Sequence, residues 1–279
     1  MFGYLLFNRL TCESVFVTQT HQDNVADASV GIAPSGLAND LASDLASGLA
    51  SGFAGTSGSL EACALGCERG GRELFRNLEF SLSAGVVLTV GGANGAGKTS
   101  LLRILAGLAQ AAAGEVRWGG VSIHRCATEY REALSYLGHV PGTRRDETPF
   151  DHVSSRLKLG LSPAKLPIAD ALERVGLRRF AGIPCGELSV GQNRRAALAW
   201  LIARGSPLWI LDEPLSGLDV DGQALVASVI AEHALAGGYT VLTTHQPVPF
   251  AAPVEQQSLV ITDVSAVGSL IVDSYGDSA

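Results

Sequence analysis

The chain has 279 residues, 47% of them hydrophobic, enough to bury one good core or a core with a smaller subdomain. Its formal net charge is −7, of which −4 falls in residues 1–57 (Arg9 against Glu13, Asp23, Asp27, Asp40 and Asp44), so nothing in its charge favours nucleic acid as a partner. No run approaches the roughly 20 apolar residues that span a bilayer, and the opening MFGYLLFNRL is interrupted by Asn8 and Arg9, so any work at a membrane needs a partner subunit.

In chain order, the first feature is a four-residue repeat, LAND-LASD-LASG-LASG-FAG, with Leu or Phe at 37, 41, 45, 49 and 53. A helix would drift by about 40° per repeat, so residues 1–57 read as a low-complexity, flexible extension, with a weak amphipathic helix as the alternative. From residue 58 the texture changes to short apolar runs separated by glycine and by helical patterns. Strands are expected at Glu61–Leu65, Val86–Val90, Ser135–Val140, Leu208–Leu211 and Thr240–Thr243, with a helix near Gly222–Ala234. This βα alternation predicts an α/β fold, a sheet covered by helices, with residues 58–279 forming one unit.

The stretch from about 143 to 203 reads instead as an inserted helical subdomain. Thr148, Pro149 and Asp151 make a helix start of N-cap, first-turn proline and acid near the positive dipole end. Leu166–Val175 and Val190–Ala203 carry further helical spacing, the latter closed by Gly205 and Pro207. The five cysteines are odd in number and scattered; only Cys63 and Cys67 are close enough for a metal pair, and small buried thiols are the expectation.

Three motifs carry chemistry. Gly92-Ala93-Asn94-Gly95-Ala96-Gly97-Lys98-Thr99 fits the phosphate-loop pattern, after an apolar strand and before the helical TSLLRILAGL. Its glycines let backbone N–H groups converge on phosphate oxygens, the helix N-terminus adds positive potential, Lys98 reaches the β- and γ-phosphates, and Thr99 offers a hydroxyl to Mg²⁺. Next, Leu208-Trp209-Ile210-Leu211-Asp212-Glu213 is an apolar strand ending in two carboxylates: Asp212 suits Mg²⁺ ligation and Glu213 suits deprotonating an attacking water. The third, Leu188-Ser189-Val190-Gly191-Gln192, lies between them, with Ser189 a good N-cap and Gly191 open to close backbone approach.

Together these resemble the ABC ATPases over about residues 60–250. The resemblance implies a mostly parallel core sheet with a small antiparallel β part, and an ATP- and Mg²⁺-dependent ATPase in which Gly92 to Thr99, with Ser100 and Arg69, bind the nucleotide. Asp212 and Thr99 serve the metal, and Glu213 and His245 the chemistry. It also implies that Ser189, Gly191, Gln192 and the Asp219 of Ser216-Gly217-Leu218-Asp219 act across a head-to-tail homodimer. Long coiled-coil repair proteins and two-cassette translation factors of this superfamily do not fit a single, uninterrupted motif set.

Within the family, CERGGRELF, YLGH, LSVGQNRR, PLWILDEPLSGLD and TTHQP are similar to the haem-exporter ATPases of bacterial cytochrome c maturation. That implies a hydrophobic permease subunit and a place on the cytoplasmic face of the inner membrane; a generic exporter cassette or a weakly hydrolysing regulatory one are the alternatives. Four positions depart from the family pattern. Val140 stands where a glutamine is usual and can neither ligate Mg²⁺ nor orient water, while His139, if the strand continues, points the other way. Arg69 stands where an aromatic side chain commonly stacks on adenine, a task a guanidinium face can also perform. Ala93 and Ser100 replace a proline and a threonine.

Overall fold

The computed structural model describes residues 58–159, 163–262 and 272–275. The elements are, in order, β1 (Leu60–Arg69), β2 (Arg72–Leu82), β3 (Val86–Gly92), α1 (Lys98–Leu105), β4 (Ala113–Trp118), β5 (Val121–Ser122), α2 (Ala127–Ala133), β6 (Leu134–Leu137), α3 (Pro149–Leu159), α4 (Ile168–Arg174), α5 (Val190–Arg204), β7 (Leu208–Leu211), α6 (Val220–Leu235), β8 (Tyr239–Thr243), β9 (Glu255–Ile261) and β10 (Val272–Tyr275). The repeat at 37–53 lies outside the described residues.

The strands form two sheets. One is antiparallel, in the order β2-β1-β4-β5; the other runs β10-β9-β3-β8-β7-β6 and is parallel apart from the β10–β9 pair. Strands β7 and β8 are buried at every residue, as expected where a parallel sheet is covered on both faces. Alternation then sorts their side chains. Val86, Leu88, Val90, Leu208, Ile210, Tyr239 and Val241 share one cluster with Leu101, Leu102 and Leu105 of α1 and with the antiparallel sheet. Val87, Trp209, Leu211 and Leu242 face the other way, into a second cluster with α4, α5 and α6. The expected fold class is the one found.

Between β6 and β7 the path is helical. Asp151 Oδ2 accepts from the Thr148 hydroxyl at 2.8 Å, and Thr148 Oγ1 accepts from the Asp151 amide at 3.1 Å, so the start of α3 is a reciprocal cap. Every residue from Ala196 to Ala203 of α5 is buried, the mark of a helix packed all round, here against α3 and α4. Gly205 ends it with φ 61° and its amide on the Leu201 carbonyl.

Strand boundaries differ from expectation at β1, which runs on to Arg69 instead of ending at Leu65, and at β6, where the difference bears on the site. Strand β6 stops at Leu137, three residues before Val140, because its partner β7 ends at Leu211 and the Leu137 carbonyl is taken by the Asp212 amide at 2.7 Å. Beyond that point there is no ladder to continue, and the alternation that sends His139 away from the acids does not apply.

Candidate active site

Three neighbouring strands end at the same level of the parallel sheet. Val90 of β3 pairs with Thr243 of β8, and Leu211 of β7 pairs with Leu242 of β8, so the phosphate loop, the two acids and the histidine loop all emerge from one carboxyl edge.

The loop after β3 is shaped by glycine. Gly97 has φ 108° and lies against the Phe75 ring, where an added Cβ would come within 3.2 Å; Gly92 has φ 134°, and a Cβ there would sit 2.6 Å from the Ile261 carbonyl. Ala93, Asn94 and Gly95 form the exposed crest, and Ala96, Gly97 and Lys98 are buried beneath it. Lys98 Nζ donates to the Gly92 carbonyl at 2.7 Å and the Ala93 carbonyl at 3.1 Å, so the loop closes round its own ammonium. Helix α1 starts at Lys98 with no side chain capping it and no acid in its first turn, which leaves its N-terminal dipole open to an anion. Thr99 is half-buried at this end. Ser100 is buried beneath the loop, near the Cys67 thiol, which burial holds above its ordinary pKa. Arg69, at the tip of the β1–β2 hairpin, is exposed.

The acids are held in two different ways. Asp212 is 2% exposed; its Oδ1 accepts from the Thr243 hydroxyl at 2.8 Å, and its buried Oδ2 has no hydrogen-bond partner. An orphaned carboxylate oxygen costs free energy unless something positive or protic reaches it. A carboxylate oxygen of this kind, like a threonine hydroxyl, is a donor that a hard divalent cation accepts. Glu213 is one of three non-glycine residues with positive φ among the described residues, at 51°. Its amide donates to Thr243 Oγ1 at 2.8 Å, and its Oε1 lies 3.0 Å from His245 Nε2. Residues with such backbone strain, of about 1–3 kcal/mol, collect at functional sites, where the surroundings over-determine them.

Here the surroundings are Thr243 on one side and Arg194 on the other. Arg194, from the second turn of α5, is 4% exposed and donates to the carbonyls of Asp212 (2.9 Å), Pro214 (3.4 Å), Glu213 and His139. Burial lowers its pKa, opposed by the nearby charges of Asp212 and Glu213. Sequence reasoning gave neither Thr243 nor Arg194 a role. Arg194 did leave a signal, a charged residue on the otherwise apolar 194-198-201 stripe of α5; Thr243, ending a buried strand, left none.

The Leu188–Gln192 segment folds as a capping box: Ser189 Oγ accepts from the Gln192 amide at 3.1 Å, and Gln192 Oε1 accepts from the Ser189 amide at 2.8 Å. A Cβ at Gly191 would lie 3.2 Å from a Leu218 methyl, so the glycine lets the start of α5 nestle against the Ser216–Asp219 loop. Asp219 caps α6 by accepting from the Gly222 amide at 2.9 Å. A cavity of about 220 Å³ lined by Glu213, Ser216, Gly217, Gln223 and His245 opens beside these loops. Among the described residues no cluster of three or more His, Cys, Asp or Glu side chains is placed to hold a metal, and no helix is long and apolar enough to cross a membrane.

A nucleotide-phosphate cradle, an orphaned carboxylate oxygen and a second carboxylate bound to an imidazole are the parts that phosphoanhydride hydrolysis needs. Comparisons with known proteins agree. The family model for ABC transporters matches residues 75–216. The cytochrome c biogenesis ATP-binding export protein CcmA of Methylococcus capsulatus is 47% identical over 186 residues, covering 66% of this chain and 90% of that protein. The protein of the same name from Dechloromonas aromatica is 45% identical over 194 residues, covering 69% and 95%. Among solved structures, a putative ABC transporter ATP-binding protein from Pyrococcus furiosus superposes with a TM-score of 0.62 at 23% identity, over 72% of this chain and 96% of that one. An ATP-binding subunit of another ABC transporter gives 0.63 at 21%, over 72% and 85%. The chain belongs to the ABC transporter family, as an ATP-binding, ATP-hydrolysing subunit of the kind that serves a membrane permease.

Proposed function

We propose that this subunit powers an exporter for bacterial cytochrome c biogenesis, with haem or a haem-derived group as cargo, from the cytoplasmic face of the inner membrane. The observation that carries the reading is the identity of 47% and 45% to two export proteins of that pathway along 90% and 95% of their lengths.

In this reading ATP lies on the 92–99 loop. Lys98 exchanges the Gly92 and Ala93 carbonyls for β- and γ-phosphate oxygens, Ser100 supports the loop from below, and Arg69 lays its guanidinium on the adenine. Mg²⁺ would be held by the Thr99 hydroxyl and the Asp212 carboxylate, directly or through water; bound there it draws charge off the phosphate oxygens. Glu213 takes the proton of the attacking water, and His245 donates toward the γ-phosphate while steadying Glu213. The site is completed by a second copy of the chain. Ser189 Oγ accepts from the Gln192 amide and can still donate its O–H, and Gly191 faces Leu218, so what the start of α5 offers a ligand is that hydroxyl and its N-terminal dipole. A two-fold homodimer would aim that dipole, with the Asp219 loop, at the partner's nucleotide.

The test is a tagged full-length chain isolated from its native membranes. Co-purification of a multi-span subunit, Mg²⁺-dependent phosphate release abolished by Glu213→Gln, and loss of haem-stained c-type cytochromes on deletion are expected. Undiminished c-type cytochromes after deletion would refute the cargo. A wild-type complex that binds ATP without turnover would show instead a regulatory cassette, the reading that Val140, 75% exposed in place of a glutamine, favours.

A further inference from the structure

The turn after β6 brings to the site a side chain that strand alternation would send elsewhere. His139 Nδ1 lies 3.5 Å from Glu213 Oε2, while His245 Nε2 lies 3.0 Å from Oε1. The carboxylate is therefore bracketed by two imidazoles, one from the loop after β6 and one from the loop after β8. The main chain of His139 is fixed, its carbonyl accepting from the Arg194 guanidinium that also holds the carbonyls of Asp212 and Glu213, while its side chain is 62% exposed. Histidine and glutamate are thus both referred to one buried, rigid cation. One residue on, Val140 offers the site no polar group.

We propose that His139 is a positioning residue for hydrolysis, holding Oε2 of Glu213 so that the carboxylate keeps one plane. The polar task of this turn has moved from position 140 to position 139. The proposal rests on the reading of Glu213 as the base. The terminal torsion of a glutamate is broad, so a contact at one oxygen leaves the other free to swing. Contacts at both oxygens remove that freedom, and a base in line with water and phosphate is worth most when it need not reorganise. At 3.5 Å the pair is long for a hydrogen bond; contacts of this kind tighten when nucleotide fills the site.

The experiment measures phosphate release against ATP concentration for the complex carrying wild type, His139→Ala, His139→Gln or Glu213→Gln. His139→Ala lowers kcat about ten-fold with KM changed by less than about two-fold, because an orientation used at the transition state is lost while binding is kept. His139→Gln, whose amide can donate to the same oxygen, stays within about three-fold of wild type. A wild-type kcat for His139→Ala, or a loss confined to KM, overturns the proposal and leaves the base reading standing if Glu213→Gln is silent. Turnover by Glu213→Gln at the wild-type rate overturns the base reading itself. If His139→Ala melts early, the glutamine variant decides: a wild-type-like kcat supports the proposal, and an alanine-like one ends it.

Discussion

The Thr243 hydroxyl donates to Asp212 Oδ1 at 2.8 Å while accepting from the Glu213 amide at 2.8 Å, so one buried oxygen sets the carboxylate of the first acid and the backbone of the second. Thr243→Val keeps the shape and removes both bonds. It leaves a buried carboxylate oxygen and an amide without partners, at a cost of about 1–3 kcal/mol for each group, and we expect a lower urea midpoint with at least about ten-fold slower phosphate release. Thr243→Ser keeps the hydroxyl and should retain most of the turnover; equal loss in both variants would assign the effect to the methyl group.

Arg194→Lys preserves charge but replaces a planar fork with a point donor that cannot reach four separated carbonyls. A buried carbonyl left without its donor costs about 1–3 kcal/mol, and part of that is expected here as a shift in denaturation midpoint. Turnover should fall further than nucleotide affinity, since the guanidinium holds the Glu213 and His139 carbonyls and not the phosphate loop. Equal falls in kcat and in affinity for a fluorescent ATP analogue would sink that assignment.

His233 gives the protein an acid-sensitive core. It stacks on Trp209 at 3.8 Å with 3° between planes, its Nε2 lies 3.1 Å from the Pro207 carbonyl, and burial holds its pKa down to about 3. The folded value is below the unfolded value of 6.5, so between the two the unfolded chain carries the extra proton. The stability from burying neutral His233 is therefore complete above that unfolded value and is lost as pH falls toward the folded one, by about 1.4 kcal/mol per unit. Urea midpoints taken at about pH 7 and about pH 5 should differ accordingly in wild type, and His233→Phe, which keeps the stack, should flatten the difference.

Much of the site was legible because its parts are short and their spacing is local. The 92–99 loop, the acidic end of β7, the caps at Thr148 and Ser189 and the closing Gly205 each depend on a few consecutive residues, and each folds as those residues dictate. What sequence could not show were the relations between segments. Thr243 meets Asp212 and Glu213 only because β7 and β8 are neighbours. The length of β6 was misread because apolar alternation continues through Val140 while the partner strand does not. His139 was sent the wrong way by the same extrapolation.

The left-handed backbone of Glu213 has a consequence for anyone improving this protein. A glutamate at φ 51° gives up about 1–2 kcal/mol that glycine would not. Glycine at 213 would relax the turn after β7 and leave Thr243 and Arg194 their main-chain partners, while removing the carboxylate. Screening for heat resistance alone therefore rewards that exchange and, on the reading proposed above, enriches robust molecules that hold ATP and never spend it.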